Sequence, residues 1–145
     1  MDYRTTASFG KRQEYSVIAE LLKEKFDVYL TLVDDQGIDC IIRRNSKKYI
    51  DVQIKARSKE AKQWNFFAAM TVKPRKNYFF IFYTEKNDTL WTIPSKDVRR
   101  LGITNKTGKN AGKVSLNLPK SDESSNASKF EKFKNEEGFK LLRKY

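Results

Sequence analysis

The sequence predicts a mixed α/β fold, of the α/β or α+β class, with a central mixed β-sheet flanked by helices. Three observations predict it. An amphipathic helical segment opens the chain, a series of short apolar and aromatic segments with strand character follows, and further helical segments close it. At 145 residues, the chain has the length of one domain that encloses a hydrophobic core.

The first helix is predicted over residues 8–26, SFGKRQEYSVIAELLKEKF. Its apolar residues recur every three or four positions and mark one face, which comprises Tyr15, Ile18, Ala19, Leu21, Leu22 and Phe26. Glu14 stands four residues before Ile18 and therefore borders this face. Its carboxylate either lies in water near the end of the helix or turns toward a site, and helix geometry leaves both alternatives open.

Strands are predicted for short runs rich in β-branched and aromatic residues. They are VYLTLV (28–33), IDCIIRR (38–44), KYIDVQIKAR (48–57), FFAAMTV (66–72), NYFFIFYT (77–84), TLWTIP (89–94) and VSLNL (114–118). Turns are predicted at DDQG (34–37) and NSKK (45–48), and the second turn joins its two strands in a hairpin or meander. The almost continuous apolar character of NYFFIFYT predicts a central strand.

Two helices are predicted in the second half of the chain. Ser95 is the predicted N-cap of a short helix, SKDVRRLG, that ends at Gly102. A final helix is predicted over residues 129–144, and Gly138 weakens it. This helix either docks on the core or reaches toward a partner.

Polar segments separate these helices from the strands. Residues 104–113, TNKTGKNAGK, are predicted to form a flexible basic loop. The Ser-rich residues 120–128 are predicted to be a linker. We therefore predict a domain of residues 1–118 followed by a linker and C-terminal helix over residues 119–145.

Composition excludes several classes of enzyme. The chain has no histidine, which excludes hydrolases with a histidine base and zinc sites with histidine ligands. A single cysteine excludes an internal disulfide, and Cys40 lies in the apolar stretch GIDCII, where a small core residue is expected. No apolar run has the length of a membrane span, and the first residues contain no apolar signal-peptide region. We therefore expect a soluble, cytoplasmic protein that does not associate with a membrane.

The charge distribution points to a polyanionic partner. The net charge is +12, and residues 43–76 alone contain eleven Lys or Arg against two acids, a net +9. Such an excess favours nucleic acid, or less well an anionic membrane because no basic amphipathic helix lies in this region. A well-solvated basic surface without a partner is the remaining alternative.

The predicted hairpin brings together residues that suit phosphodiester chemistry. If strands 38–44 and 47–57 pair, Asp39 lies across from Gln53, Lys55 and Arg57. Asp39 alone would be an ordinary turn residue beside a glycine. Together, however, Asp39 and Gln53 offer the oxygen ligands that Mg²⁺ prefers, Lys55 orients or deprotonates the attacking water, and Glu14 holds the water shell of the metal. The surrounding basic residues would contact DNA phosphates; they are Lys11, Arg12, Arg57, Lys59, Lys62, Lys73, Arg75 and Lys76.

Three short segments resemble the PD-(D/E)XK nuclease superfamily: GKRQE (10–14), GID (37–39) and DVQIK (51–55). The first is similar to the Gly-x-x-x-Glu opening of archaeal Holliday junction resolvases. The Gln-x-Lys form resembles methylation-directed restriction nucleases and some intron-encoded homing endonucleases. Residues 77–98 also resemble small bacterial members of the superfamily, so the resemblance covers about residues 9–100.

The resemblance implies a restriction-endonuclease-like core and a Mg²⁺-dependent DNA endonuclease, with Mn²⁺ able to substitute, acting on double-stranded or branched DNA as a homodimer. Asp39 matches the metal-binding aspartate, Lys55 the catalytic lysine and Glu14 the helix glutamate. Gln53 stands where the acidic ligand usually is, and it removes one negative charge from the site; Asp51 is a second candidate acid. The alternatives are a catalytically inactive DNA-binding module of the same fold and a subunit whose basic face meets an acidic protein.

Overall fold

The structure, a computed structural model, describes residues 2–33 and 36–145. Its helices are α1 (Tyr3–Lys23), α2 (Ser95–Leu101), α3 (Ala127–Phe130) and α4 (Glu136–Lys144). Its strands are β1 (Asp27–Leu30), β2 (Cys40–Asn45), β3 (Lys48–Arg57), β4 (Phe66–Met70), β5 (Tyr78–Thr84), β6 (Thr89–Pro94), β7 (Ile103–Thr104) and β8 (Val114–Asn117). Asp34 and Asp35, in the predicted turn at residues 34–37, lie outside the described residues.

The centre of the fold is a five-stranded sheet with the order β1-β2-β3-β5-β6. Its neighbours are antiparallel except for β3 and β5, which run parallel, so the sheet is mixed as the sequence predicts. A parallel pair needs a crossover connection. Here the crossover, residues 58–77, contains β4, which joins β8 and β7 in a separate three-stranded sheet.

Two hydrophobic cores lie on the two faces of the central sheet. The helix-side core packs the sheet against α1 and α4, and includes Val17, Leu21, Ile50, Val52, Phe79, Ile81, Phe139 and Leu142. The strand-side core packs the sheet against the second sheet, α2 and the segment around α3, and includes Phe80, Phe82, Trp91, Val98, Val114, Leu116 and Phe133. Alternate residues of β5 therefore enter different cores, which explains its almost continuous apolar sequence.

The same alternation makes β3 two-sided. Ile50, Val52 and Ile54 are buried in the helix-side core. Residues of the opposite face, among them Gln53 and Lys55, are only half-buried and point to the same side as the strand-side core. A polar strip on β3 therefore lies beside the aromatic residues of β5.

Several element boundaries differ from the sequence-based expectation. Helix α1 begins before residue 8, at Tyr3, because the Asp2 carboxylate caps it by accepting the Thr5 amide at 2.8 Å. Of the predicted apolar face, Ile18, Leu21 and Phe26 are buried as expected, whereas Tyr15 and Leu22 are exposed. Val17, which lies outside the predicted face, is buried.

The prediction that Ser95 is an N-cap is wrong. Pro94 is the N-cap of α2, and Ser95 lies inside the helix. The Ser95 hydroxyl instead donates to the Arg75 carbonyl and accepts the Arg75 amide, both at 3.0 Å. This pair of hydrogen bonds fastens the crossover segment to the start of α2.

The predicted final helix over residues 129–144 is broken in two. A left-handed Asn135, at φ 46°, separates the turns around α3 from α4. Helix α4 docks on the core, where Phe139 and Leu142 are buried. The predicted domain boundary at residue 118 stays a prediction.

The predicted loop at residues 104–113 is closed by hydrogen bonds. The Asn105 amide donates to the Lys113 carbonyl at 2.9 Å, and the Gly112 amide donates to the Asn105 carbonyl at 2.7 Å. The connection between β7 and β8 is therefore a hairpin turn. No helix within the ranges 2–33 and 36–145 has both the length and the apolar character that crossing a membrane requires.

Gly138 allows α4 to approach β6 closely. A Cβ at this position would lie 2.6 Å from the Phe133 carbonyl oxygen and 2.8 Å from Thr92 Cβ. Gly10 in α1 provides the contrast, because a Cβ there would meet no atom within 4 Å.

We predict that Gly138→Ala lowers the free energy of unfolding by about 1–3 kcal/mol, since the Phe133 carbonyl and the Thr92 side chain must move. Gly10→Ala should raise it by up to about 1 kcal/mol through helix propensity. Urea unfolding followed by circular dichroism measures both variants. An unchanged midpoint for Gly138→Ala would contradict the close approach.

Candidate active site

The β2–β3 hairpin places Asp39 beside Gln53. The register pairs Cys40 with Val52 in an antiparallel ladder that shifts by one residue between Arg43 and Asn45. One residue earlier, the Asp39 amide donates to the Val52 carbonyl at 2.8 Å, and Asp39 Oδ2 accepts the Ile54 amide at 2.7 Å. Asp39 is therefore across from Gln53, as the sequence predicts, and its carboxylate is held by the backbone of the strand that carries Gln53 and Lys55.

Gln53 is held by a tyrosine that the sequence analysis did not select. Tyr78 Oη lies 2.8 Å from Gln53 Oε1 and 2.8 Å from the Gly37 carbonyl oxygen. Gly37 has φ +69°, and a Cβ on it would lie 3.1 Å from Gln53 Oε1. The ring of Tyr78 is buried in the core, but its hydroxyl reaches the polar strip of β3. The sequence feature that could have pointed to Tyr78 as a partner of Gln53 is the presence of a tyrosine at the start of the apolar run YFFIF.

A cleft of about 580 Å³ opens between β3 and β4. It is lined by Gln36, Gly37, Gln53, Lys55, Ala68, Ala69, Met70, Thr71, Lys73, Arg75 and Tyr78. In the described part of the chain, three lining residues are cationic and none is a carboxylate. The small side chains of Ala68 and Ala69 form the β4 wall, so the cleft is open to a large anionic ligand.

Among the cationic residues that line the cleft, Lys55 is nearest in sequence to the candidate ligand Gln53. It is half-buried and points to the same face as Gln53. Its ammonium group makes no hydrogen bond or ion pair with any other residue of the described ranges. An unpaired lysine at the wall of a cleft remains available to a ligand.

Asp51 has a different partner. Arg75 Nη2 lies 2.5 Å from Asp51 Oδ2, and the guanidinium stacks on the Tyr78 ring at 4.5 Å from its centroid. The carboxylate of Asp51, the second candidate acid, is therefore neutralised by an arginine. Arg75, a predicted DNA contact, lines the cleft but is shared with Asp51.

Glu14 and Asp39 both act on the thiol of Cys40. Burial, together with the smaller effects of the charges of Asp39 and Glu14, raises the pKa of this thiol to about 12. Glu14 itself accepts a hydrogen bond from Lys11 Nζ at 2.9 Å, which raises the pKa of Lys11. Lys11, a predicted DNA contact, is paired with the predicted helix glutamate.

The other predicted DNA contacts are spread over the surface. The Arg57 guanidinium donates to the Gln63 carbonyl at 3.1 Å, and Arg12 stacks on Phe9 at 5.8 Å. Lys59, Lys62, Lys73 and Lys76 are exposed.

The basic segment 43–76 is not one continuous patch. Arg44 donates to the Arg143 carbonyl, and Lys48 lies over the Tyr145 ring, so the hairpin tip faces the end of α4. Only the later part of the segment, with Lys55, Lys73 and Arg75, reaches the cleft.

The donor set fits Mg²⁺. Asp39 and Glu14 offer carboxylate oxygens and Gln53 offers a carboxamide, all hard donors. Among the described residues, no group of three or more His, Cys, Asp or Glu could enclose a metal ion. A small number of protein oxygen ligands is sufficient for Mg²⁺, because the ion retains several of its water ligands. The Ile54 amide would orient Asp39 as outer-shell hydrogen bonds commonly do.

Comparison with protein families and with curated proteins finds no match. Comparison with solved structures finds several matches, and one of them covers nearly all of the chain. The chain is similar to a homing endonuclease. This protein, the bacterial homing endonuclease I-Ssp6803I, matches with a TM-score of 0.65 and 17% sequence identity over 93% of this chain and 90% of its own. At this identity the likeness to I-Ssp6803I establishes the fold, and it extends beyond residues 9–100 that the sequence resemblance covers.

The environment of Cys40 gives a prediction. Its folded pKa is about 12, so the thiol stays neutral in the native state at pH 9, whereas the unfolded thiol ionises from roughly pH 8.5. Its contribution to stability is therefore complete below the unfolded pKa and is lost as pH rises toward 12. We expect a thiol reagent at pH 9 to modify Cys40 only upon unfolding, with a rate that urea increases. Reaction of the native protein at the rate of a cysteine peptide would contradict this.

Proposed function

We propose that this protein is a Mg²⁺-dependent DNA endonuclease with a PD-(D/E)XK-type site. The observation that carries the proposal is the hairpin register, which sets Asp39 against Gln53, while Gln53 and Lys55 line the same cleft. The likeness to a homing endonuclease and the order of the GKRQE, GID and DVQIK segments support it. The cationic lining of the cleft supports a phosphate ligand.

In this proposal, Asp39, Gln53 and Glu14 hold the cation. A divalent cation supplies Lewis acidity, which activates water and offsets charge on the phosphate. Lys55 faces the same cleft, where it orients or deprotonates the attacking water or stabilises the charge that develops on the phosphate. The Ile54 amide keeps the Asp39 carboxylate in place, and the cations of the cleft wall bind the DNA backbone.

The second candidate is a catalytically inactive DNA-binding module of the same fold. Gln53 favours it, because a neutral carboxamide binds a cation less strongly than a carboxylate. Within the nuclease proposal, the substrate is a duplex cut as by restriction or homing enzymes, or a branched junction. Cutting both strands with one site per chain requires two chains, so we include a homodimer in the proposal.

We predict that the wild type nicks or linearises a supercoiled plasmid, or resolves a four-way junction, with Mg²⁺ or Mn²⁺ but not with EDTA. Asp39→Asn and Lys55→Ala should each reduce the rate by at least about 100-fold, because each removes a charge from the reacting centre. Gel electrophoresis of both substrates measures the rate.

Asp122→Asn is the matched control, since Asp122 is an exposed residue paired with Lys134 at 2.8 Å, away from the cleft lining. Gel-shift assays with EDTA should show that Asp39→Asn and Lys55→Ala still bind DNA. Tight DNA binding by the wild type without cleavage of either substrate would reject the nuclease and favour the binding module.

The cleft also predicts where phosphates bind. Lys73→Ala should weaken DNA binding and reduce the slope of log affinity against log salt by about 1, because it removes one phosphate contact. Lys140→Ala, which removes an exposed lysine of α4 paired with Glu137, should leave the slope unchanged. Fluorescence anisotropy over a salt series measures both. Equal slopes for the Lys73 and Lys140 variants would place the DNA elsewhere.

A further inference from the structure

The hydroxyl of Tyr78 has more acceptors than protons. Gly37 O and Gln53 Oε1 both lie 2.8 Å from Tyr78 Oη. A phenol has one proton, so it donates fully to only one of them, and the other contact becomes two oxygens without a hydrogen between them. Such a contact inside a half-buried site costs free energy.

Rotating the Gln53 carboxamide by half a turn resolves the conflict. Oxygen and nitrogen of a carboxamide occupy nearly the same positions, and the hydrogen-bond network decides between them. With Nε2 toward Tyr78, the amide donates to the phenol oxygen and the phenol donates to Gly37 O. Each contact then has its own proton, and Gln53 Oε1 is turned away from Tyr78.

The surroundings hold this chain of hydrogen bonds in place. The Tyr78 ring is buried in the strand-side core against Phe80, with ring centroids 5.1 Å apart, and the Arg75 guanidinium lies 4.5 Å from the centroid of the Tyr78 ring. Gly37 has no side chain, and a Cβ there would lie 3.2 Å from Tyr78 Oη. The carbonyl of Gly37 and the phenol thus form a fixed support on one side of the carboxamide.

We propose that Tyr78 is a positioning residue that orients Gln53, so that the carboxamide presents its oxygen to the divalent cation. A carboxylate at this position would present oxygen in either orientation. A carboxamide presents oxygen in only one, so the change from acid to glutamine creates a need for an orienting partner. The proposal rests on the proposed function and explains how a neutral residue serves as a ligand.

The decisive experiment is a double-mutant cycle of Tyr78→Phe with Gln53→Glu. Tyr78→Phe keeps the ring and its packing but removes the hydroxyl. Mn²⁺ binding is measured by calorimetry without DNA, so the readout does not depend on cleavage. In the native Gln53 background, Tyr78→Phe should weaken Mn²⁺ binding by about fivefold or more, the value of one hydrogen bond. In the Gln53→Glu background, it should weaken binding by less than about twofold, because both carboxylate oxygens are equivalent.

Tyr83→Phe is the matched control. Tyr83 lies on the opposite face of β5, where its hydroxyl donates to Asp88 at 2.7 Å, so its loss should leave Mn²⁺ binding unchanged. Thermal unfolding of each variant checks that the fold persists. Equal weakening of Mn²⁺ binding by Tyr78→Phe in both backgrounds would reduce Tyr78 to a structural role and overturn the proposal.

A measurement on the metal-free protein separates this proposal from the nuclease itself. The side-chain amide signals that disappear from the nuclear magnetic resonance spectrum in Gln53→Glu belong to Gln53. They should show cross-relaxation with the Tyr78 ring protons. Absence of this cross-relaxation would overturn the proposed orientation of the Gln53 carboxamide, even if the protein cuts DNA. Cross-relaxation without Mn²⁺ binding by the wild type would overturn the ligand role, and failure to cut DNA would reject only the proposed function.

Discussion

The hydrogen bond from the Ile54 amide to Asp39 Oδ2 is the contact on which the candidate site depends. Asp39 precedes β2, in a segment where its amide donates to the Val52 carbonyl and its carbonyl accepts the Thr31 amide. Its carboxylate joins this segment to the middle of β3, where Gln53 and Lys55 lie. Because β3 also pairs with β5 in parallel, the same strand brings Tyr78 beside Gln53. One side-chain-to-backbone bond therefore links the two hairpin strands at the point where the cleft opens.

Electrostatics divide the molecule along the central sheet. The cleft wall carries Lys55, Lys73 and Arg75, whereas the groove between α1 and α4 on the opposite face is lined with Glu20, Glu24, Asp88 and Glu136. The net charge of +12 does not by itself show that the charges differ between the two faces of the sheet. Because the two faces differ in this way, a polyanion is attracted more strongly to the cleft side than to the groove.

Sequence periodicity predicted the parts of the structure that depend on local patterns. The alternation of β3 predicted a hairpin with Asp39 across from Gln53, but the register that pairs Cys40 with Val52 depends on a shift of one residue between Arg43 and Asn45, which the turn at NSKK alone does not predict. The run NYFFIFYT identified the central strand. By contrast, the sequence predicts Tyr78 only as a residue of the central strand, because the contact of its hydroxyl with Gln53 arises from the parallel pairing of strands separated by a crossover. The Arg75–Asp51 pair and the Ser95–Arg75 bonds were missed for the same reason, since they join residues 20 or more positions apart.

The central claim is that Asp39 and Gln53 form a cation site beside the cleft that Gln53 and Lys55 line. The most direct test is anomalous diffraction from a crystal of the protein soaked with Mn²⁺. The account predicts a manganese peak at coordination distance from the Asp39 carboxylate and the Gln53 side-chain oxygen. A well-ordered crystal with no peak beside Asp39, or with manganese bound only at the acidic groove of α1 and α4, would contradict it.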